Sequence, residues 1–407
     1  MRKILIGLLC SGLFICANSF AYSAPPKELK LYLDADFSTL KQAAHAIELG
    51  INTALSEESH QLQGYRLSVV RKNHRGNSRR SAKHLKAFLK DPSAIAVFGG
   101  LHSPPLLANK SFINKNRILT LVPWAAAGPI TRSNSDENWI FRLSIDDSNA
   151  GKFIVSRALN QGFKRPYLLL ENTGWGESNL NKMSQAITDK GVKHIGVQRF
   201  NWGINDSQAR LILHDVINAK PDVILFVGNA PEGIIFAKQL AALNSGIAMR
   251  SHWGITGGDF ANQVTMAERS AIDLQFIQTN FSFLSKNNTA FSKQVFNRLT
   301  SLSNIKSPEE LPAATGFIHA YDLTKLLISA IKSVPLSGDK NKDMLAIHQA
   351  LENLTTPQQG LIKSYNNPFS SYSADSPNAH EALSIDDYRM GFYDNNNAVR
   401  LINLSNE

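Results

Sequence analysis

The sequence predicts an α/β fold of two lobes, each an open, mostly parallel sheet covered by helices on both faces. Three observations carry that expectation. Short apolar runs such as AIAVF (94–98) and DVILFV (222–227), bounded by glycine or proline, have the makeup of strands buried on both faces. Each run leads into a stretch of helical periodicity that opens on a capping residue. The strand–helix alternation also comes in two successive series, the second beginning after residue 143.

In chain order, residues 29–33 read as a strand and 38–55 as a helix with alanines and leucines at helical spacing. Strand 65–70 and helix 78–89 follow. The third unit is the most informative: strand 94–98, a helix opening at Ser103-Pro104, strand 118–122 and the small-residue loop Pro123–Gly128. A serine followed by proline suits a helix start, because the hydroxyl can cap free N–H groups and the ring needs no donor. Parallel strands joined by a helix bring both loops to one sheet edge, where helix N-termini can hold a small anionic group such as a carboxylate.

The second series has helix 148–160, strand 167–170, the loop ENTGWGES (171–178), helix 178–189, strand 194–200 and a helix after Asn205-Asp206. It continues through strand 222–227, helix 232–243 and strand 251–255, which ends at Thr256-Gly257-Gly258-Asp259. Residues 275–283 read as extended, 313–332 and 342–354 as amphipathic helices, and the chain beyond Thr356 as short strands and loops.

The N-terminus reads as an export leader: Arg2 and Lys3, an apolar core from Ile4 to Cys16, and the small-x-small pattern Ser19-Phe20-Ala21. That core is shorter than the ~20 residues that span a bilayer. Cleavage after Ala21 starts the mature chain at Tyr22 and removes both cysteines, Cys10 and Cys16. Disulfides, thiol catalysis and thiolate metal sites go with them. The net charge of +10 is local. Two positive charges sit in the leader, and eight basic residues with no acid lie between Arg66 and Lys86. That patch reads as a solvated strand-to-helix edge or as a docking surface for an acidic partner or anionic lipid headgroups; nucleic acid is the remaining reading, disfavoured because an exported chain rarely meets it and no aromatic stacking platform is interleaved.

The segments FGGLHSPPLLAN, LTLVPWAAAGPITR, IFRLSIDDSNAG, ENTGWGES, PDVILFVG, GITGGDF and ATGFIHAYDLTKLLISAI occur in the order found in type I periplasmic binding proteins. The chain resembles most the branched-chain amino acid and amide binding proteins of ABC importers, over nearly all of its mature length. The resemblance implies two Rossmann-like lobes joined by three crossings, near residues 143–147, 279–283 and 355–360. It divides the chain into leader 1–21, an N-terminal lobe of 22–145 plus 283–355, and a C-terminal lobe of 146–282 plus 356–407.

It also implies a site. Ser103 matches the serine that binds the ligand carboxylate, and Trp124, Ala125 and Ala126 match the loop that offers backbone groups to it. Trp175 matches the aromatic wall of the second lobe, Asn229 lies in the matching loop after the central strand, and Asp259 matches the acid that accepts the ligand ammonium. Such a cleft must supply donors to one end of an amino acid and acceptors to the other, since burying either unpaired is costly. The family departs here in two places: Asp34 and Asp36 stand in the first loop, and the bulky Trp124 replaces something small.

The implied function is capture of a small polar solute, of amino acid or amide type, and its delivery to an inner-membrane ABC permease. The alternative is a periplasmic sensor subunit for a membrane receptor. Neither role involves nucleic acid or a membrane span, and a monomer is expected. No G-x-S-x-G, H-E-x-x-H, P-loop or dinucleotide fingerprint occurs, and the eleven histidines lack metal-ligand spacing, so no enzyme, cofactor or metal is expected.

Overall fold

A computed structural model describes residues 27–133 and 137–402; the expected leader lies outside the described residues. The first sheet is formed by β1 (Lys27–Ala35), β2 (Gln61–Leu62), β3 (Tyr65–Asn73), β4 (Ala94–Gly99), β5 (Thr120–Val122) and β6 (Ile140–Arg142), in the spatial order β2-β3-β1-β4-β5-β6. All of its pairings are parallel except the short β2–β3 turn. The second sheet takes β7 (Pro166–Glu171), β8 (Gly196–Phe200), β9 (Val223–Val227), β10 (Ala248–Ser251) and β11 (Leu274–Thr279), all parallel where they pair with one another. After a small hairpin of β12 (Gln358–Gln359) and β13 (Ser364–Tyr365), β14 (Tyr388–Tyr393) and β15 (Val399–Leu401) extend the second sheet antiparallel. Every residue of β4 and β9 is buried, as strands covered on both faces must be.

In the first half of the chain the helices are α1 (Lys41–Ser56), α2 (Ser78–Lys90), α3 (Ser103–Lys115), α4 (Asp147–Asn160), α5 (Gly174–Asp189) and α6 (Asp206–Asn218). The rest are α7 (Ala230–Ala242), α8 (Phe260–Gln263), α9 (Met266–Ala271), α10 (Ala290–Leu302), α11 (Ala314–Ser333) and α12 (Lys340–Glu352). α11 returns to the first lobe and lies along α1, at a separation only glycine permits: a Cβ on Gly50 would stand 2.4 Å from the Phe317 carbonyl oxygen. No helix among the described residues is long and apolar enough to cross a membrane.

Two local differences from the sequence reading matter for the site. Residues 171–178 are not a loop throughout, because the Thr173 hydroxyl caps the helix at once by accepting from the N–H of Trp175 and Gly176. Trp175 is therefore held in the first turn of α5. The predicted strand 251–255 gives way after Ser251, where His252 Nδ1 accepts the Trp253 N–H and starts a 3-10 turn over Trp253–Gly257.

The third crossing is also displaced. Residues 356–383 stay on the first lobe, whereas the sequence reading assigned them to the second. The buried Asp322 of α11 accepts from the N–H of Leu361 (2.6 Å) and Ile362 (3.0 Å) and from Tyr365 Oη (2.7 Å). Further on, His380 stacks on Phe141 of β6 with ring centroids 3.8 Å apart. The chain joins the second sheet only at Tyr388, where β14 pairs with β11. A carboxylate buried in a helix had no visible partner in the sequence, so this attachment could not be read there.

Candidate functional site

The carboxyl ends of the central strands of both sheets face each other, and the lobes meet directly. Ser103 is the first residue of α3 and is buried; its Oγ accepts the Ala127 N–H at 3.2 Å and so ties the helix start to the small-residue loop. Ala125 and Ala126 are buried in that loop, and the Ala126 carbonyl accepts the Asp147 N–H at 2.9 Å. Trp124 is 1% exposed: its indole lies against Gly316, where a Cβ would come within 2.6 Å, and 5.9 Å from the Trp253 ring of the opposite lobe. Its Nε1 has no partner in the protein.

On the second lobe, Trp175 Nε1 donates to Asp147 Oδ1 at 3.2 Å and its ring meets the edge of His252 at 5.0 Å. Because His252 Nδ1 accepts the Trp253 N–H, the ring proton sits on Nε2 and is donated to the same Asp147 oxygen at 3.1 Å. The other oxygen, Asp147 Oδ2, is buried with no partner, and so is Asn229 Oδ1. Asn229 precedes α7 and donates through Nδ2 to Glu171 Oε2 at 3.1 Å. Trp202 Nε1 donates to that oxygen at 2.9 Å, and the Thr173 hydroxyl to Glu171 Oε1 at 2.6 Å.

Among the described residues no cation pairs with Glu171. Burial pushes its carboxyl up to about 7; the Thr173 and Trp202 hydrogen bonds oppose this, and the nearby Glu232 and Asp147 carboxylates add to it. Burial also raises Glu232, against a hydrogen bond from the Gly203 N–H. The second-lobe face thus carries a surplus of acceptors and negative charge.

The first lobe answers with His102 and Asp36. His102 Nε2 lies 3.2 Å from Asp36 Oδ2, and its ring packs at 4.9 Å on Trp202 reaching over from the second lobe. Burial works against ionising Asp36, but hydrogen bonds from His102 and from the N–H groups of Thr39 and Ser38 outweigh it and hold the carboxyl at about 2. Asp34, the other acid of the first loop, turns into its own lobe toward Ser81 Oγ (2.5 Å) and His84 Nδ1 (2.6 Å).

The structure therefore brings Ser103, Trp124, Ala125, Ala126, Trp175 and Asn229 to the facing edges of the lobes, and it sets Asp259 apart. The Asp259 carboxylate accepts from Asn262 Nδ2 at 2.7 Å and borders a cavity of about 280 Å³ with Gln42, Thr256, Gln278 and Thr315. Asp147, Glu171, His252 and His102 were not among the sequence candidates. Glu171 closes an apolar strand and Asp147 opens a helix, so each looked like ordinary punctuation.

Residues 36–378 match the family described as periplasmic binding protein. The chain is a member of the periplasmic binding protein family. The fold agrees with solved structures at low identity. A solute-binding protein of an ABC transporter from R. palustris, in complex with benzoate, is 18% identical with a TM-score of 0.74, over 92% of this chain and 95% of that one. A leucine binding protein from Thermotoga maritima MSB8 is 17% identical with a TM-score of 0.72, over 93% and 100%. An ABC transporter substrate-binding protein from Desulfitobacterium hafniense, in complex with Leu, is 15% identical with a TM-score of 0.70, over 92% and 100%. No curated protein matches the chain.

In this periplasmic binding protein Trp202 of the second lobe packs directly against the first. It packs over Gly76, whose φ is +69°, and a Cβ there would stand 3.1 Å from Trp202 Cζ3. Gly76→Ala adds that contact to a left-handed backbone costing ~1–2 kcal/mol for an alanine. The variant should shift the ligand-free protein toward an open form, read as a larger radius of gyration by small-angle scattering. An unchanged radius would mean that the Trp202 contact does not govern closure.

Proposed function

We propose that the protein captures a small organic solute of amino acid or amide type between its lobes and delivers it to an inner-membrane ABC permease, after export as a monomer to the periplasm. The observation that carries this reading is the set of buried, unpartnered acceptors on the second-lobe face, Asp147 Oδ2 and Asn229 Oδ1, beside Glu171, whose oxygens accept only from neutral donors. Such atoms are costly to bury alone and call for a donor from a third body. A protonated amine or amide N–H supplies it. Donors at the opposite edge, near Ser103 and the Ala125–Ala126 loop, suit a carboxylate or carbonyl. The structural neighbours hold leucine and benzoate, both carboxylates.

In this reading Asp147 and Glu171, rather than Asp259, receive the ammonium, because Asp259 is taken up by its own helix turn and faces another cavity. A ligand bridging both faces stabilises closure in proportion to its preference for the closed form. The test is a thermal-shift screen of refolded protein against amino acids, amides, polyamines and aromatic carboxylates, followed by titration of the best hit. Asp147→Asn should weaken binding about tenfold or more, the loss expected for a charge-assisted hydrogen bond. Asp259→Asn should leave affinity within about twofold on the same scale. The reverse ranking would return the ammonium to Asp259. A screen in which only uncharged solutes or simple carboxylates bind would overturn the amine reading.

A further inference from the structure

Away from the cleft, on the first lobe, three side chains converge that are remote in sequence. His348 and Glu352 lie one turn apart on α12, and His380 arrives from the terminal segment; one ligand atom from each lies within 4.8 Å of the others. His380 Nε2 is 3.0 Å from Glu352 Oε1, and His348 Nδ1 is 4.0 Å from Glu352 Oε2.

The decisive feature is what the other two ring nitrogens do. His348 Nε2 lies 2.9 Å from the Asn138 carbonyl oxygen, and His380 Nδ1 lies 3.1 Å from that of Ile140. A carbonyl only accepts, so each ring spends its N–H there and turns a lone pair toward Glu352. Three acceptors then face one another in a pocket walled by Trp139, Phe141 and Phe369. A metal cation at their centre, or a proton shared between a ring and Glu352, relieves that arrangement. Backbone carbonyls that fix the ring tautomer are also the usual outer support of metal-bound histidines. The Tyr372 N–H, 3.1 Å from Glu352 Oε1, orients the carboxylate in the same way.

We propose that His348 Nδ1, His380 Nε2 and Glu352 form a Zn²⁺ site that fastens the terminal segment to α12 and β6. Two imidazoles and one carboxylate match the borderline-soft preference of zinc, with water as the fourth ligand. Tetrahedral ligands at ~2.0–2.1 Å from zinc stand ~3.3 Å apart, so His380 and Glu352 are already at ligand spacing and His348 needs to draw in by roughly 1 Å. The Glu352 and His348 side chains, 12% and 11% exposed, leave the cluster a narrow opening to solvent. In a chain whose only cysteines lie in the leader, such a staple does the work of a cross-link.

The test uses the full exported protein, made without a histidine tag, stripped with chelator and dialysed against ZnCl₂ alone. Bound metal and melting temperature are read together. One zinc per chain and a melting temperature that rises with zinc concentration are expected. Glu352→Gln and His348→Gln should each lower zinc affinity by ~100-fold or more while leaving the metal-free melting temperature close to the parent's, which separates lost binding from lost folding. Co²⁺ in place of zinc should give the visible absorption of a tetrahedral N/O site in the parent and in neither variant. No retained zinc and no shift at ~0.1 mM metal would overturn the site and leave a proton-mediated His–Glu–His cluster. Zinc retained equally by both variants would overturn it as well.

Discussion

Arg142→Leu should lower the unfolding free energy by about 3–5 kcal/mol, the cost of removing one partner from a buried ion pair. Arg142 is fully buried on β6, immediately before the first crossing. Its Nε donates to Glu381 Oε2 at 2.8 Å, and its Nη2 to Glu381 Oε1 at 2.6 Å and Asp146 Oδ1 at 2.9 Å. Nη1 donates to the carbonyls of Ala127 (2.9 Å) and Ala125 (3.3 Å). One guanidinium thus joins the first crossing, the small-residue loop of the candidate site and the terminal segment. Burial alone would favour deprotonation, but the Glu381 and Asp146 carboxylates overcome it and keep the group firmly charged. Arg132 supports Asp146 with two further hydrogen bonds at 2.8 and 2.7 Å but comes no nearer than 3.7 Å to Glu381, so Glu381 is the carboxylate more exposed to the loss. Denaturant unfolding of Arg142→Leu, and of the double variant Arg142→Leu/Glu381→Gln, checks this. The double variant should regain part of the stability, since the stranded charge is gone. A single-variant loss under about 1 kcal/mol would show that the cluster does not hold the crossing together.

The second large effect is a pH dependence set by Glu171. Its carboxyl is held at about 7 in the folded protein, against 4.5 as the ordinary value. Below the ordinary value it is neutral in folded and unfolded chain alike. As pH rises toward 7 the unfolded chain ionises first, so the folded state loses stability, by about 3 kcal/mol in all, and the loss is constant at higher pH. Glu171→Gln removes the titration and keeps an acceptor for Trp202 and Asn229. The stability difference between variant and parent should therefore open in the variant's favour between about pH 4.5 and 7 and then stay flat. Parallel curves across that range would show that Glu171 ionises normally.

This group also links pH to the proposed ligand. An ammonium beside Glu171 favours the carboxylate, so binding should tighten as pH rises toward 7 and release a proton. Calorimetric titrations in buffers of different ionisation enthalpy measure that proton directly. A solute bound without proton release would not be placing a cation beside Glu171.

Much of the fold was legible because buried parallel strands and amphipathic helices leave periodic signals in a single chain. AIAVF, VILFV and the Ser103-Pro104 helix start all stand where those signals put them. The facing loops followed from the same logic, since a right-handed strand–helix–strand unit delivers them to one edge. The boundary errors have local causes: a threonine cap drew Trp175 into α5, and a histidine side chain ended β10 early.

What stayed hidden was every feature that depends on a polar side chain finding a partner far along the chain. Asp322 holding residues 361–365, Arg142 meeting Glu381, and His348 meeting His380 join positions tens to hundreds of residues apart. Periodicity records which face of an element is buried, not which residue lies opposite. The sequence by itself determined the two-lobed α/β architecture and the loops that meet between the lobes, because hydrophobic pattern and capping act over a few residues. Only the tertiary structure decided which acids lie where the lobes meet, where the chain crosses for the third time and which histidines converge. Those outcomes rest on directional, short-range polar contacts that exist only once the lobes have packed.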